Sequence, residues 1–174
     1  IAVQNTLLTQ QMKGVYTQLQ STWDNWIFLL GGRQDWVESD FRNKLAPAGG
    51  VNGNDRKFTW QSGLMYRFDN GLTPYASYST AFVPVQQISN GGAPLDPITS
   101  SQVELGIKYE PAGWNTAMTA SVFDLRKEDD TYLDATTSTY RQVGESRSKG
   151  VELEINSDVS RNLNLTASYT YTDA

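Results

Sequence analysis

A strict two-residue alternation of apolar and polar side chains is the feature that most constrains this chain. Over residues 102–109 every second residue is apolar or aromatic, and the residues between them are polar or glycine. The same pattern returns over residues 151–156 and 163–171. A period of two places successive side chains on opposite faces of a β-strand. Each strand therefore has a polar face for water and an apolar face for either a protein core or lipid.

The composition restricts the chemistry that this chain could perform. It holds no cysteine and no histidine, which excludes disulfides, thiol nucleophiles, histidine-based triads and Cys/His zinc sites. The net charge is -5 and no basic stripe is present, which argues against nucleic-acid binding. We therefore predict no enzyme activity, no cofactor, no metal site and no nucleic-acid partner.

The hydropathy leaves one kind of membrane protein open. Mean hydropathy is -0.48, and no run approaches the roughly 20 apolar residues that a spanning helix needs. A transmembrane β-barrel remains possible, because only every second residue of its strands has to be apolar. Ile1 is not an initiator methionine, so we expect further sequence to precede it.

Short and long connections alternate between the predicted strands. Turn residues place short connections at 24–25, 69–71, 110–115 and 158–162. Polar runs place long connections at 42–56, 84–99 and 129–138. Outer-membrane barrels are connected in this way, with short periplasmic turns and long outer loops. A soluble sandwich has no reason to sort its connections by length.

The aromatic residues fall into two sets that follow the same division. Near the short turns lie Trp23, Trp26, Tyr66, Phe68, Tyr109 and Trp114. Toward the long connections lie Trp36, Phe58, Trp60, Phe82 and Tyr171. Two belts separated by about 9–11 residues of tilted strand match the apolar thickness of a membrane.

These patterns predict an all-β fold, an antiparallel up-and-down transmembrane β-barrel segment of about eight strands. Two other interpretations remain open. One is an independent, small eight-stranded outer-membrane barrel without active transport. The other is a soluble β-sandwich or lectin-like binding module, in which the apolar faces would be buried against a second layer.

Five stretches, in chain order, carry a family resemblance. They are LGGRQDW at 30–36, FDNGLTPYASYS at 68–79, VELGIKY at 103–109, GESRSKGVELE at 144–154 and LNLTASYTYTDA at 163–174. Together they resemble the barrel of TonB-dependent siderophore receptors, the ferrichrome and ferrioxamine type in particular. The resemblance implies that residues 1–174 are part of a larger barrel of about 22 strands. It also implies that the plug domain of the family is absent from this chain.

The resemblance further implies a function and a location. The chain would be a multi-pass β-barrel part in the bacterial outer membrane, in contact with its lipid. Its ligand would be a ferric siderophore, taken up with energy from the TonB complex acting through the missing plug. In the family the ligand docks in an outward-facing cup of aromatic and polar groups, where aromatics offer rigid apolar area. The candidate ligand contacts here are Phe82, Gln86, Tyr132 and Tyr140, although alternation also groups Phe82 with lipid-facing residues.

The charged residues of the polar faces are the second set of candidates. We expect them to line the lumen, where they would pair across strands or contact a plug: Arg33, Asp35, Glu104, Lys108, Glu152 and Glu154. Glu152 and Glu154 do not indicate glycosidase chemistry, because spacing along one strand face already explains them. The acidic run at 128–134 lacks the ordered ligand spacing of a Ca²⁺ site.

Overall fold

The computed structural model describes residues 6–45, 50–85, 95–137 and 139–174. Its strands are β1 (Thr6–Trp23), β2 (Trp26–Asn43), β3 (Val51–Tyr66), β4 (Leu72–Val83), β5 (Ile98–Tyr109), β6 (Thr116–Asp134), β7 (Thr139–Ser160) and β8 (Leu163–Asp173). Within these ranges no helix is long and apolar enough to cross a membrane.

The strands form one antiparallel meander in which each strand pairs with its neighbours in the chain. The order across the sheet is the order in sequence, β1 to β8. Across the part of the chain that the structure describes, β1 and β8 make no contact with each other, so the sheet is open. This arrangement confirms the all-β antiparallel prediction. It argues against a closed eight-stranded barrel and against a sandwich, which requires a second layer.

The register assigns the apolar side chains of neighbouring strands to one common face, which we call the outward face. Leu105, for example, lies opposite Ala76 on β4 and Val122 on β6. Leu105 is 53% exposed and Leu163 56% exposed, and Val103, Ile107 and Leu165 are likewise exposed. These apolar faces are therefore not buried against a second layer of the same chain. The barrel interpretation requires this exposure, because the apolar face of a membrane barrel contacts lipid.

Aromatic side chains mark both ends of the outward face. Near the short turns Trp26 lies opposite Tyr66, with ring centroids 4.8 Å apart, and the ring of Tyr66 is 4.7 Å from that of Phe68. Toward the other end the rings of Trp60 and Tyr78 are 4.8 Å apart. Rings at the two borders of an apolar band are typical of membrane barrels, where they lie at the level of the headgroups.

Two connections that the sequence predicts to be long are shorter in the structure. The ladder of β2 and β3 extends to Phe41 and Val51, and that of β6 and β7 extends to Asp134 and Thr139. The predicted loops at 42–56 and 129–138 are therefore partly wrong. Most side chains of these hairpin ends are polar, so the alternation in the sequence weakens although the backbones still pair and Val37 and Phe41 are buried on β2. The ends of the sheet differ less in loop length than in how far the hairpins extend beyond the apolar band.

The ladder between β3 and β4 is the shortest in the sheet. It joins only residues 61–65 to residues 75–79. Beyond it β3 pairs with β2 and β4 pairs with β5. Directly beyond the ladder the Thr80 side chain takes the place of a backbone pair. Its Oγ1 accepts from the Trp60 N–H at 2.8 Å and donates to the Trp60 carbonyl at 3.2 Å.

Candidate functional site

The polar side chains share the face opposite the apolar band, which we call the inner face. The register of the ladders places all of the predicted lumen-facing charges on it: Arg33, Asp35, Glu104, Lys108, Glu152 and Glu154. Within the described ranges no group of three or more His, Cys, Asp and Glu side chains could hold a metal ion. The inner face carries carboxylates, amides and hydroxyls together with cations such as Arg33 and Lys108.

An ion pair along one strand occupies the inner face of β2. Asp35 is only 1% exposed, and the Nε of Arg33 donates to its two oxygens at 2.9 and 2.7 Å. Gly14 lies opposite Asp35 on β1, where an added Cβ would come within 2.3 Å of the carboxylate. Glycine thus provides the space in which the pair lies. The partner of each charge is two residues away on its own strand, whereas the sequence predicts pairing across strands or contact with a plug.

A second cluster holds the carboxylate of Glu104. The Tyr75 hydroxyl donates to Oε1 at 2.5 Å, and Gln102 Nε2 donates to Oε2 at 3.1 Å. The tyrosine ring lies over Gly106, where an added Cβ would be 2.5 Å from Cζ. Lys108 Nζ is 5.6 Å from the centre of the same ring, a distance at which the cation is attracted to the ring face. Both oxygens of Glu104 are therefore fixed in place.

Sequence reasoning identified Glu104 and Lys108 but missed Tyr75 and Gln102. The signal that could have found them is Gly106, the only residue of 102–109 on the polar face that is neither charged nor an amide. A glycine among larger side chains on one strand face often marks the close approach of a group from a neighbouring strand. Here that group is the ring of Tyr75, directly opposite Gly106.

Glu152 and Glu154 extend the acidic character of the inner face to β7. Glu152 lies opposite Ser121 on β6 and Thr170 on β8. Glu154 accepts a hydrogen bond from Asn156 Nδ2 at 2.6 Å. The ion pairs found in the described ranges do not include either glutamate. These carboxylates are available to a cationic partner on the inner side.

Three of the four predicted ligand contacts lie in the described residues, at different places on the outer rim, the end of the sheet away from the short turns. Phe82 lies opposite Thr99 on the outward face, in line with Tyr78. Tyr140 lies opposite Leu133 on the inner side, and Tyr132 lies opposite Arg141 on the other side. Gln86 lies outside the described residues. As ligand contacts these residues remain predictions, and the register favours Tyr140 because it faces inward.

The tip of the β6–β7 hairpin lies well beyond the apolar band, and its turn is stabilised by Asp134. The Thr136 N–H donates to Asp134 Oδ1 at 2.9 Å, and Arg141 Nε is 3.2 Å from Oδ2. Hydrogen bonding from Thr136 is the main reason that the pKa of Asp134 is lowered. This carboxylate therefore stays charged in moderately acidic conditions and keeps the turn closed.

Comparison with known proteins decides the family. The sequence profile described as "TonB dependent receptor-like, beta-barrel" matches residues 3–174. The chain belongs to the TonB-dependent receptor β-barrel family. This is a family of receptors and transporters, and its barrels lie in the bacterial outer membrane. The resemblance predicted from the five sequence stretches is confirmed.

Curated members of the TonB-dependent receptors align with nearly the whole chain. The chain is 39% identical over 166 residues to the ferrichrome outer membrane transporter/phage receptor of Escherichia coli (strain K12), covering 95% of this chain and 22% of that protein. It is 42% identical over 160 residues to the ferrioxamine B receptor of Salmonella typhimurium (strain SL1344), covering 92% and 23%. The chain thus spans less than a quarter of the length of these relatives.

Solved structures of two bacterial receptors share the fold. The siderophore receptor PiuA from Acinetobacter baumannii aligns with a TM-score of 0.80 and 25% identity, covering 95% of this chain and 26% of that one. The alcaligin receptor FauA from Bordetella pertussis aligns with a TM-score of 0.77 and 21% identity, covering 96% and 30%. The open sheet of this chain therefore corresponds to one arc of a larger barrel.

Proposed function

We propose that this chain forms part of the wall of an outer-membrane receptor that imports a ferric siderophore with energy from the TonB system. The observation that carries the proposal is the 39% and 42% identity to a ferrichrome transporter and a ferrioxamine B receptor over more than nine-tenths of the chain. The plug through which TonB would act lies outside residues 1–174, which we assign to the barrel domain.

The two faces of the sheet suit this role. The outward face offers exposed Leu105 and Leu163 to lipid between aromatic borders. The inner face offers Glu152 and Glu154, which have no ion-pair partner in the described ranges. Because a charge in a confined space is stabilised by an opposite charge, we infer that the group filling the lumen is cationic where it meets β7.

The test of transport uses the complete protein in cells that lack their own siderophore receptors. Uptake of iron-55 is measured with ferric ferrichrome and with ferric ferrioxamine B, in strains with and without TonB. We expect uptake of at least one of the two chelates only when TonB is present. If neither chelate enters, or if entry is the same without TonB, the proposal is wrong.

A matched pair of tyrosines tests the ligand contacts. Tyr140 faces the inner side of the β6–β7 hairpin, and Tyr132, of comparable exposure, faces the other side. We expect Tyr140→Ala to weaken siderophore binding by about tenfold, the effect of losing one buried aromatic contact of 1–2 kcal/mol. Tyr132→Ala is the control. Equal loss in the two variants would mean that the inner side of this hairpin does not contact ligand.

A further inference from the structure

The β5–β6 ladder ends before the strands reach the outer rim. Its last pair at that end is Thr99 with Glu128, whereas β6 and β7 remain paired as far as Asp134 and Thr139. Asp96 and Pro97, which lead into β5, therefore lie beside β6 without a ladder of their own. Pro97 is nevertheless buried, and so is Val85 at the other end of the 84–97 connection. Something other than β-pairing has to hold this approach to β5 in place.

The side chain of Gln142 on β7 makes the missing contacts. Its Nε2 donates to the Asp96 carbonyl at 2.7 Å, and its Oε1 accepts from the Asp96 N–H at 3.2 Å. The amide thus binds both backbone groups of one residue, as a neighbouring strand would. Gln142 reaches across Thr131, its partner on β6, to do so.

The same side chain also stabilises an irregularity in β6. Asp129 has a positive φ of 58° and is the one position between Glu128 and Asp130 where the β6–β7 pairing is interrupted. A non-glycine residue in this conformation is strained and needs support from its surroundings. Gln142 Nε2 supplies it by donating to the Asp129 carbonyl at 3.0 Å. One amide group on β7 therefore binds both β6 and the residue two positions before β5.

We propose that Gln142 is a positioning residue that locks the start of β5 onto the β6–β7 hairpin, so that these elements form one rigid part of the outer rim. Tyr140 lies two residues from Gln142 on the same side of β7, so the lock also fixes the position of this tyrosine. Its effect on siderophore binding rests on the proposed function, whereas the lock itself does not.

The lock is tested by hydrogen exchange in the complete protein, reconstituted in lipid vesicles. The peptide that is followed contains Asp96 beyond its first two residues, because the first two amides of a peptide lose their label. Gln142→Leu removes all of the hydrogen bonds, and Gln142→Glu removes the ones that Nε2 donates. Each lost hydrogen bond changes a local opening equilibrium by up to about tenfold. Gln142→Leu takes away the acceptor of the Asp96 N–H, so we expect exchange at Asp96 to be about tenfold faster at pH 7. In Gln142→Glu the carboxylate faces the Asp96 and Asp129 carbonyls with no proton to donate, so we expect exchange at Asp96 to be faster there as well. Gln20→Leu, at an exposed position on β1, should leave this peptide unchanged.

Exchange measured at low pH shows whether Gln142 acts through hydrogen bonds or only through packing. Below about pH 4 a glutamate side chain is protonated and can donate again. We therefore expect protection at Asp96, corrected for the intrinsic exchange rate, to recover in Gln142→Glu and not in Gln142→Leu. Unchanged exchange in Gln142→Leu at pH 7, or identical behaviour of the two variants in acid, would overturn the lock.

Siderophore binding then separates the lock from the proposed function. If ferric ferrichrome or ferrioxamine B binds the unaltered protein, Gln142→Leu should weaken that binding severalfold through Tyr140. Unweakened binding alongside faster exchange would overturn the link to Tyr140. If neither chelate binds the unaltered protein, the proposed function fails, and hydrogen exchange still decides the lock.

Discussion

Leu105→Arg tests which face of the sheet meets lipid. Leu105 lies in the middle of the apolar band, in one row with Ala76, Val122 and Val151, and more than half of its surface is exposed. An arginine on the lipid face near the bilayer midplane costs about 2–4 kcal/mol. This cost corresponds to a decrease of about 30- to 900-fold in the folded-to-unfolded ratio.

The matched control is Thr170→Arg. Thr170 lies on the inner face, opposite Glu152, in the row next to the one that contains Leu105. An arginine there can pair with the glutamate, so we expect a change within about 1 kcal/mol of zero. The assay is urea unfolding of the complete protein in lipid vesicles, followed by tryptophan fluorescence. If Leu105→Arg unfolds at the same urea concentration as Thr170→Arg, the outward face does not contact lipid.

Three further predictions concern particular contacts. Gly106→Ala should lower the unfolding free energy by about 1–3 kcal/mol, because its Cβ would overlap the Tyr75 ring; urea unfolding measures this. Thr80→Val should cost about 1–3 kcal/mol in the same assay, because the Trp60 N–H and carbonyl lose their partner. The lowered pKa of Asp134 means that its charged form stabilises the hairpin turn above the ordinary aspartate pKa of about 3.9. This stabilisation is lost as the pH falls through the lower folded-state pKa, and we expect hydrogen exchange of residues 135–137 to accelerate there.

Each of these predictions has a control in the same chain. Gly144→Ala adds a Cβ with no atom within 4 Å and should be neutral where Gly106→Ala is not. Thr172→Val changes an exposed threonine and should not destabilise. Asp134→Asn removes the titrating group, so the acid-dependent acceleration should disappear. Equal effects in variant and control would contradict the contact in question.

The sequence predicts strands well where one face is apolar and the other polar. β5 follows this rule over residues 102–109 and β8 over residues 163–171, and in both ranges the structure has the apolar side chains on one common face. The rule is less informative at the hairpin ends. On β2 every second residue from Asp35 to Phe41 is buried, but Asp35 and Ser39 among them are polar. β6 shows the transition at Phe123, which turns inward over Gly150, while Asp124 turns outward and accepts from Arg147.

The site was predicted less completely than the fold. Charges such as Glu104 and Arg33 could be placed on a face by counting residues. Their partners could not, because the contact of Tyr75 with Glu104 depends on the register between β4 and β5. The role of Gln142 is even harder to predict from the sequence. Its hydrogen bonds reach from β7 to β6 and to the residues before β5, at a point where the β5–β6 ladder has ended. Alternation says which way a side chain faces, and only the register says what it meets.

The short β3–β4 ladder divides the wall into two panels. One panel consists of β1 to β3, and the other consists of β4 to β8. The β3–β4 ladder joins them near the short turns, and the Thr80 hydroxyl joins them just beyond the end of that ladder. Beyond Thr80, toward the outer rim, the ladders of the described residues pair β3 only with β2 and β4 only with β5. A force applied to the inner face would therefore bend the sheet first between β3 and β4. The bending would begin at the hydrogen bonds of Thr80.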